Sequence, residues 1–263
     1  MYRRSSIFWG VLFILLAALL LLRQAGLITG DIFGYFWPLL IIAFGLWLIL
    51  GFFGRHQAIQ GEQVSVPLEG AKSAYLRFNH GAGRLNLKSG AAAGEILNGT
   101  FGEGLDYKSQ LSGDRLEVKL RTPAQFWAWW PGGSLDWDVH LNREVVLNLK
   151  IDTGASASVL DLSDLNVVDL DIDSGASSTE VTLPAAAGST HVDIDTGASS
   201  LKIHVPSGVA ASIRIKSGIA SVNVASGRFP RVDGGLYQSA DYPTAANRAD
   251  ITIDAGVGSI EVD

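Results

Sequence analysis

The sequence repeats one short pattern six times, and this pattern constrains the fold more than any other feature. In each copy, apolar residues stand three and five places before a central glycine and usually return four and six places after it. From Gly154 onward, three consecutive intervals between these glycines are 21, 22 and 21 residues. A fixed period with alternating apolar residues indicates stacked β units. The central glycines are Gly81, Gly154, Gly175, Gly197, Gly218 and Gly256.

The repeats predict an all-β domain over residues 64–263, a single-chain β-solenoid with coils of roughly 21–22 residues. Each glycine is expected to form a corner between two strand segments, because glycine accepts backbone angles that other residues resist. Successive repeats are expected to stack in chain order, which would place Gly154, Gly175 and Gly197 in one column. A domain of this length can bury one sizeable core.

Two uncharged apolar runs, 7–22 and 32–53, precede the repeats. At 1.5 Å per residue the second run measures roughly 33 Å, which matches a bilayer core of about 30 Å. A cleaved signal peptide is the alternative for the first run, but it leaves the second run unexplained. We predict a transmembrane α-helical hairpin in residues 1–55, with spans at about 7–24 and 33–53 and a linker at 56–63.

The ends of the apolar runs carry residues typical of a membrane interface. Tyr35 and Trp37 are amphipathic aromatics that favour the headgroup level, and Arg23 can extend its charge toward water. Pro38 suits the first turn of the second helix, where its missing N–H costs little. Basic residues before the first run bias the amino terminus inward, and two spans would return the repeat domain to the cytoplasmic side.

Charge and cysteine content exclude some classes of protein. The net charge of −6 argues against nucleic-acid binding, which needs a basic face. The chain has no cysteine, so disulfides cannot hold the domain together.

A tryptophan-rich stretch from 122 to 137 interrupts the repeats. It is a candidate partner surface for a ligand, another protein or the membrane interface. The alternative is a loop or hairpin whose aromatics cover an open end or side of the solenoid. Its aromatic residues are Phe126, Trp127, Trp129, Trp130 and Trp137.

Three corners resemble the Asp-Thr/Ser-Gly element of aspartic proteases, beginning at Asp152, Asp173 and Asp195. That chemistry needs two carboxylates that share one proton. Here the motif recurs at the repeat period, and the same position holds Lys216 or Asn79 in other copies, which favours a structural role. Each aspartate is then expected to accept backbone N–H bonds at its corner. We therefore predict no catalytic residues and no enzyme activity.

Residues 151–200 hold nine acidic residues and no lysine or arginine. Stacking would bring the corner aspartates together, where a divalent-cation ladder could relieve their repulsion. Hydration of an outward acidic face is the interpretation we favour. The five histidines show no ligand spacing, and we predict no metal or cofactor; most of these histidines are expected to be solvated.

Several segments together resemble a known family. Residues 35–42, at the start of the second apolar run, resemble the LiaI–LiaF-like transmembrane region, and Gly45 lies in the helix predicted there. Residues 78–85 and 160–167, together with the Gly-Ala-Ser corners, resemble the toastrack domain of LiaF-type proteins, which include adhesin-like and cell-wall-active antibiotic response proteins. The resemblance covers nearly the whole chain, although the Ser-rich corners depart from the commoner Gly-Ala-Gly form.

The resemblance implies a non-enzymatic, multi-pass protein of the bacterial cytoplasmic membrane that acts in the envelope-stress response. LiaF-type members restrain a sensor histidine kinase, so a kinase, another membrane protein or a second copy is the implied partner. An extracytoplasmic adhesin-like module that binds cell-wall polymer or another cell is the alternative. An aspartic-type hydrolase is a remote third hypothesis.

Overall fold

The computed structural model describes residues 61–123 and 135–263, and every regular element within them is a β-strand. The predicted hairpin with Arg23, Tyr35, Trp37 and Pro38, and four of the five aromatic residues, Phe126, Trp127, Trp129 and Trp130, lie outside the described residues. Among residues 61–123 and 135–263, no helix has the length and hydropathy needed to span a bilayer.

The described residues form thirteen strands of one open sheet, in which six long strands of 15 to 17 residues each contain one repeat glycine. In chain order the strands are β1 (Gly61–Pro67), β2 (Ser73–Ser89), β3 (Glu95–Gly102), β4 (Asp106–Ser112), β5 (Arg115–Arg121), β6 (Trp137–Leu141), β7 (Val146–Asp161), β8 (Val167–Thr182), β9 (Ser189–His204), β10 (Ala210–Val224), β11 (Arg231–Asp233), β12 (Leu236–Gln238) and β13 (Arg248–Val262).

Each repeat is one strand that passes through its glycine without a break. In β9 the inward residues before the corner are Thr190, Val192, Ile194 and Thr196, and those after it are Ser199, Leu201 and Ile203. The inward positions change phase at Gly197, so the strand presents two walls to one core. Period-2 burial on both sides of a glycine is what the sequence pattern predicts for a half-buried strand.

The repeat glycines form the predicted column. A Cβ added to Gly175 would lie 2.9 Å from the carbonyl oxygen of Gly154, and one added to Gly197 would lie 2.8 Å from that of Gly175. Gly81 and Gly256 continue the column on either side through similarly close approaches. The corners therefore stack with backbone against backbone, which confirms the central prediction about the repeats.

The order of the last two repeats differs from the predicted chain order. The long strands lie in the order β2, β7, β8, β9, β13, β10, and β13 pairs in parallel with both β9 and β10. The final repeat is thus inserted between the two repeats that precede it. Because every repeat has the same alternation of apolar residues around its glycine, the sequence is compatible with any order of the repeats in the sheet.

At the other end of the ladder, two separate strands together replace one repeat. The first half of β2 pairs in parallel with β5, and its second half pairs in parallel with β6. The register sets Arg121 beside Asn79 and Trp137 beside Leu85. The tryptophan-rich stretch therefore connects the two halves at the place where other repeats carry their corner glycine.

Candidate functional site

Outward side chains before the corner glycines form columns across the sheet. The column two residues before the glycines runs in register order through Asn79, Asp152, Asp173, Asp195, Asp254 and Lys216. Earlier positions on the same face add further aspartates from β8, β9 and β13. We call this surface the acidic face; its aspartates are Asp152, Asp169, Asp171, Asp173, Asp193, Asp195, Asp250 and Asp254.

Two cations from the chain neutralise one side of the acidic face. Lys150 Nζ donates to Asp171 at 2.7 Å and to Asp173 at 2.8 Å, and Arg77 Nε donates to Asp152 at 2.8 Å. The carboxylates of Asp171 and Asp173 raise the pKa of the partly buried Lys150. Asp152 and Asp173 thus pair with cations of adjacent strands, and no backbone N–H of the described residues donates a hydrogen bond to either carboxylate, in contrast to the prediction.

The other side of the acidic face keeps its negative charge. Asp193, Asp195 and Asp254 are exposed, and no ion pair joins them to another described residue. Desolvation, followed by the negative charges of Asp193, Asp173 and Asp254, raises the pKa of Asp195. This unneutralised part of the face is suited to a cationic partner.

A groove of about 800 Å³ follows the column of corners. The carboxylates of Asp152, Asp173 and Asp195 line it together with corner glycines and the hydroxyl residues Thr153, Ser174 and Thr196. The Thr196 hydroxyl is buried and has no hydrogen-bond partner among the described residues. The groove therefore combines negative charge with unused hydrogen-bonding capacity.

The geometry around Asp152 and Asp173 indicates a structural role for these aspartates. Arg77 donates a hydrogen bond to Asp152 and Lys150 donates one to Asp173, so both carboxylates are engaged in contacts between neighbouring strands. Within residues 61–123 and 135–263, no group of three potential ligands is placed to hold a metal ion. The cation-ladder hypothesis therefore finds no coordination geometry there.

His80 and Trp137 are buried side by side where the ladder meets the tryptophan-rich stretch. Their ring centroids are 5.0 Å apart, and His80 Nε2 donates to the Leu135 carbonyl oxygen at 2.7 Å. Burial lowers the pKa of His80, which is therefore neutral at neutral pH. Of the described histidines, His80 is thus an exception to the expected solvation.

Trp137 does not belong to an exposed contact surface. Its side chain is fully buried, stands edge-on to Phe101 with ring centroids 5.2 Å apart, and fills the core position that Leu85 occupies in β2. This placement agrees with the alternative prediction, in which the aromatic residues cover an open end or side of the stacked repeats. The other four aromatic residues remain candidates for contact, since they lie outside the described residues.

Sequence reasoning missed the cations that organise the acidic face. Arg77, Lys150, Asp171 and Asp193 all stand four residues before their repeat glycines, so aligning the repeats would have revealed this column. The signal was hidden because this position holds a cation in the first, second and fifth repeats (Arg77, Lys150 and Arg214) but aspartate or threonine in the others.

Comparison with known proteins bears on both parts of the chain. The family profile described as the N-terminal domain of toast_rack, DUF2154, matches residues 55–204. The chain belongs to the toast_rack family. The profile of the LiaI-LiaF-like transmembrane region matches residues 7–49, which associates this toast_rack protein with a membrane. No curated protein matches the chain significantly.

A solved structure shares the toast_rack fold described here. It is the crystal structure of a "putative cell adhesion protein" from Clostridium sporogenes, with a TM-score of 0.69 and 20% identity. The similarity covers 77% of this chain and 98% of that chain. At this identity the likeness concerns the fold alone.

Proposed function

We propose that this protein is a membrane-anchored regulator or scaffold of the bacterial envelope-stress response, acting through protein–protein contacts without catalysis. The observation that carries the proposal is the match of residues 7–49 to the LiaI-LiaF-like transmembrane region on the same chain as a toast_rack ladder. A sensor histidine kinase is the partner that this family relationship suggests. The hairpin would contact membrane helices, and the ladder would contact a domain beside the membrane.

The ladder suits a contact role because its two outer walls differ in chemistry. Before the corners it presents the acidic face, and after them it presents alanine and serine columns that include Ala198 and Ser200. Hydrogen bonds along the whole length of six strands hold these columns at fixed spacing. The unneutralised half of the acidic face would attract a partner with a basic surface and increase its rate of association.

Site-specific photocrosslinking in intact membranes tests this proposal. A crosslinking amino acid replaces Asp193 on the acidic face or Ser200 on the opposite wall, and exposed Ser112 on β4 serves as the matched control. We expect an adduct with a membrane histidine kinase from Asp193, with much less from Ser112. Absence of a kinase adduct from both wall positions, or equal adducts from all three positions, would contradict the proposal.

We place the ladder on the cytoplasmic side, following the basic residues before the first apolar run. Because the chain has no cysteine, Ser207→Cys introduces a single thiol in an exposed turn. An impermeant maleimide should label it only after the cells are opened. Ready labelling of intact cells would place the ladder outside.

An adhesin-like function is the second candidate, favoured by the fold shared with the "putative cell adhesion protein" and by the tryptophan-rich stretch. It predicts that the protein binds purified cell wall and that Trp129→Ala with Trp130→Ala weakens this binding. Buried Trp137 is excluded from the test because its loss would disturb the core. If the unmodified protein does not bind the wall, this candidate fails.

A further inference from the structure

The half of β10 after Gly218 has a neighbouring strand on one side only. β13 pairs with β10 along its whole length, whereas β12 pairs only with Ser212–Arg214 on the other side. The last backbone bond on that side joins the Ile215 N–H to the Gly235 carbonyl oxygen. Beyond it, no described segment hydrogen-bonds to the outer edge of residues 219–224.

The core is incompletely covered beneath this edge. Val222 and Val224 are half-buried, whereas Ile260 and Val262, their register partners in β13, are each 1% exposed. Ile219 on the outer surface is 79% exposed. One further strand would satisfy the free backbone groups and cover these valines at the same time.

Other edges of the sheet carry features that discourage pairing. β4 bears Asp106 and Lys108, and β1 bears Glu62 and Pro67. Residues 217–227 contain neither a charge nor a proline. Because natural edge strands are usually guarded by charge, proline or short length, an unguarded edge indicates a place where another strand pairs.

The tryptophan-rich segment is too short to occupy this edge. It is fixed at Pro123 and Leu135 beside β5 and β6, and β10 lies six strand positions away. At about 4.8 Å per strand this distance is about 29 Å. A loop of eleven residues that must return to its origin reaches only about 20 Å.

We propose that a second copy of this chain occupies the edge, with residues 219–224 of the two copies pairing antiparallel about a two-fold axis near Ser221. This register sets Ile219 opposite Asn223 and Ala220 opposite Val222, so each pair shares one face of the joined sheet. The two half-covered cores then meet across the junction.

The neutral edge favours a second copy over a charged partner. Residues 219–224 carry no charge, so pairing two copies about Ser221 brings no like charges together. A partner with a basic surface would instead be attracted to the acidic face. Anchoring in one membrane also raises the effective concentration of copies, which supports a contact of only six residues per chain. The inference concerns a different surface from the proposed kinase contact and stands or falls independently of it.

Disulfide trapping of the full chain in isolated membranes tests the pairing. Single cysteines replace Ile219, Ser221 or Asn223, and Ser200→Cys is the matched control because Ser200 is in register with Ser221 but lies in β9, paired on both sides. After mild oxidation with diamide, we expect at least tenfold more covalent dimer from Ser221→Cys than from Ser200→Cys. Two facing residues at an antiparallel axis have the Cα separation that a disulfide needs.

A second comparison separates specific pairing from collisions of the membrane anchors. In the Ile219→Cys, Asn223→Cys double variant, Ser221→Lys should reduce the trapped dimer at least tenfold, because two lysines would face each other at the axis. Ser200→Lys should leave it unchanged within twofold. Protease resistance of the ladder confirms that each variant is folded. Equal trapping at Ser200, no self-dimer from any edge position, or trapping to a different protein would overturn the proposal.

Discussion

Single residues at the corners set how closely neighbouring repeats approach. Gly175 lies against the Gly154 carbonyl oxygen, so even a methyl group would push two strands apart. The column therefore requires glycine because glycine has no Cβ. The repeat glycines do not have positive φ angles, so backbone conformation is not the reason for glycine at these positions. The aspartates beside the glycine column have a different effect. The sheet holds several of these negative charges close together, and ion pairs neutralise only some of them.

Replacing Gly175 by alanine should destabilise the protein by about 1–3 kcal/mol, the range for inserting atoms into a packed site. The cause is the added Cβ, which would lie 2.9 Å from a backbone oxygen. Gly208→Ala is the control, since nothing lies within 4 Å of a Cβ placed there. Urea unfolding compares the two, and an equal, small effect at both positions would contradict close stacking.

Asp195→Asn should stabilise the protein at pH 7 by about 0.5 kcal/mol, as expected for relief of repulsion between neighbouring carboxylates. Because the folded state raises the pKa of Asp195, folding becomes more favourable as pH falls through that pKa, and the ionised carboxylate is unfavourable above it. The gain should therefore shrink as the pH falls through the raised pKa of Asp195 and be lost below about pH 4, where the aspartate is protonated in the unfolded chain as well.

Thermal unfolding across pH measures this effect, with exposed Asp233→Asn as the control outside the acidic face. A stability loss in Asp195→Asn at pH 7 would mean that Asp195 has an attractive partner.

The residue-level predictions succeeded where a pattern lies within one repeat. The glycine column and the stacked aspartates follow from period and alternation alone. The cations were missed because Arg77 and Lys150 act on residues of the next strand, and only register reveals that contact. Both a contact surface and a covering role stayed open for Trp137, because its repeat lacks a glycine that would have marked it as a core position.

At the scale of elements, side chains join strands that backbone bonds already pair. Lys150 of β7 binds two aspartates of β8, and its side chain is only 21% exposed. Lys202 of β9 is a looser counterpart, with Glu261 and Asp263 oxygens at 3.9 Å. The Lys150 contacts are short and partly shielded from water, whereas the Lys202 contacts are longer and lie at the solvent-exposed surface.

Lys150→Met should destabilise the protein by about 1–2 kcal/mol, because two charge-assisted hydrogen bonds are lost and Asp171 and Asp173 are left to repel each other. Lys202→Met should cost less than about 0.5 kcal/mol. Chemical unfolding at low and high salt measures both, and the difference should narrow at high salt. A Lys150→Met protein as stable as the unmodified chain would show that these ion pairs contribute nothing.

The strand order makes a further prediction at this scale. β13 has parallel neighbours on both sides, whereas β4 pairs only with β5 and is largely exposed. Hydrogen exchange should therefore be much slower in β13 than in β4. Faster exchange in β13 would contradict its position inside the sheet. The sequence could not predict this position, because the Gly256 repeat is equally compatible with the end of the ladder.

At the scale of the whole molecule, residues 61–123 and 135–263 share one core that extends from the strands beside β2 to β10. The solved chain with this fold is matched over 98% of its length by 77% of the present chain, which agrees with a ladder that is complete without the apolar runs. The apolar runs would then anchor the ladder and contribute little to its free energy of unfolding.

A fragment of residues 58–263 should therefore fold without detergent and unfold in one cooperative transition. Circular dichroism during heating measures this, and the full chain in detergent is the comparison. A fragment that stays unfolded would show that the ladder needs the preceding residues.

The insertion of β13 between β9 and β10 also has a consequence for biosynthesis. β10 leaves the ribosome before its principal partner exists, and it must leave a gap of one strand beside β9 until β13 arrives. The earlier repeats can assemble as they emerge, but this last part of the sheet closes only after translation has passed residue 262. During that interval β9 and β10 each have an edge without a neighbouring strand, and exposed strand edges of this kind favour aggregation.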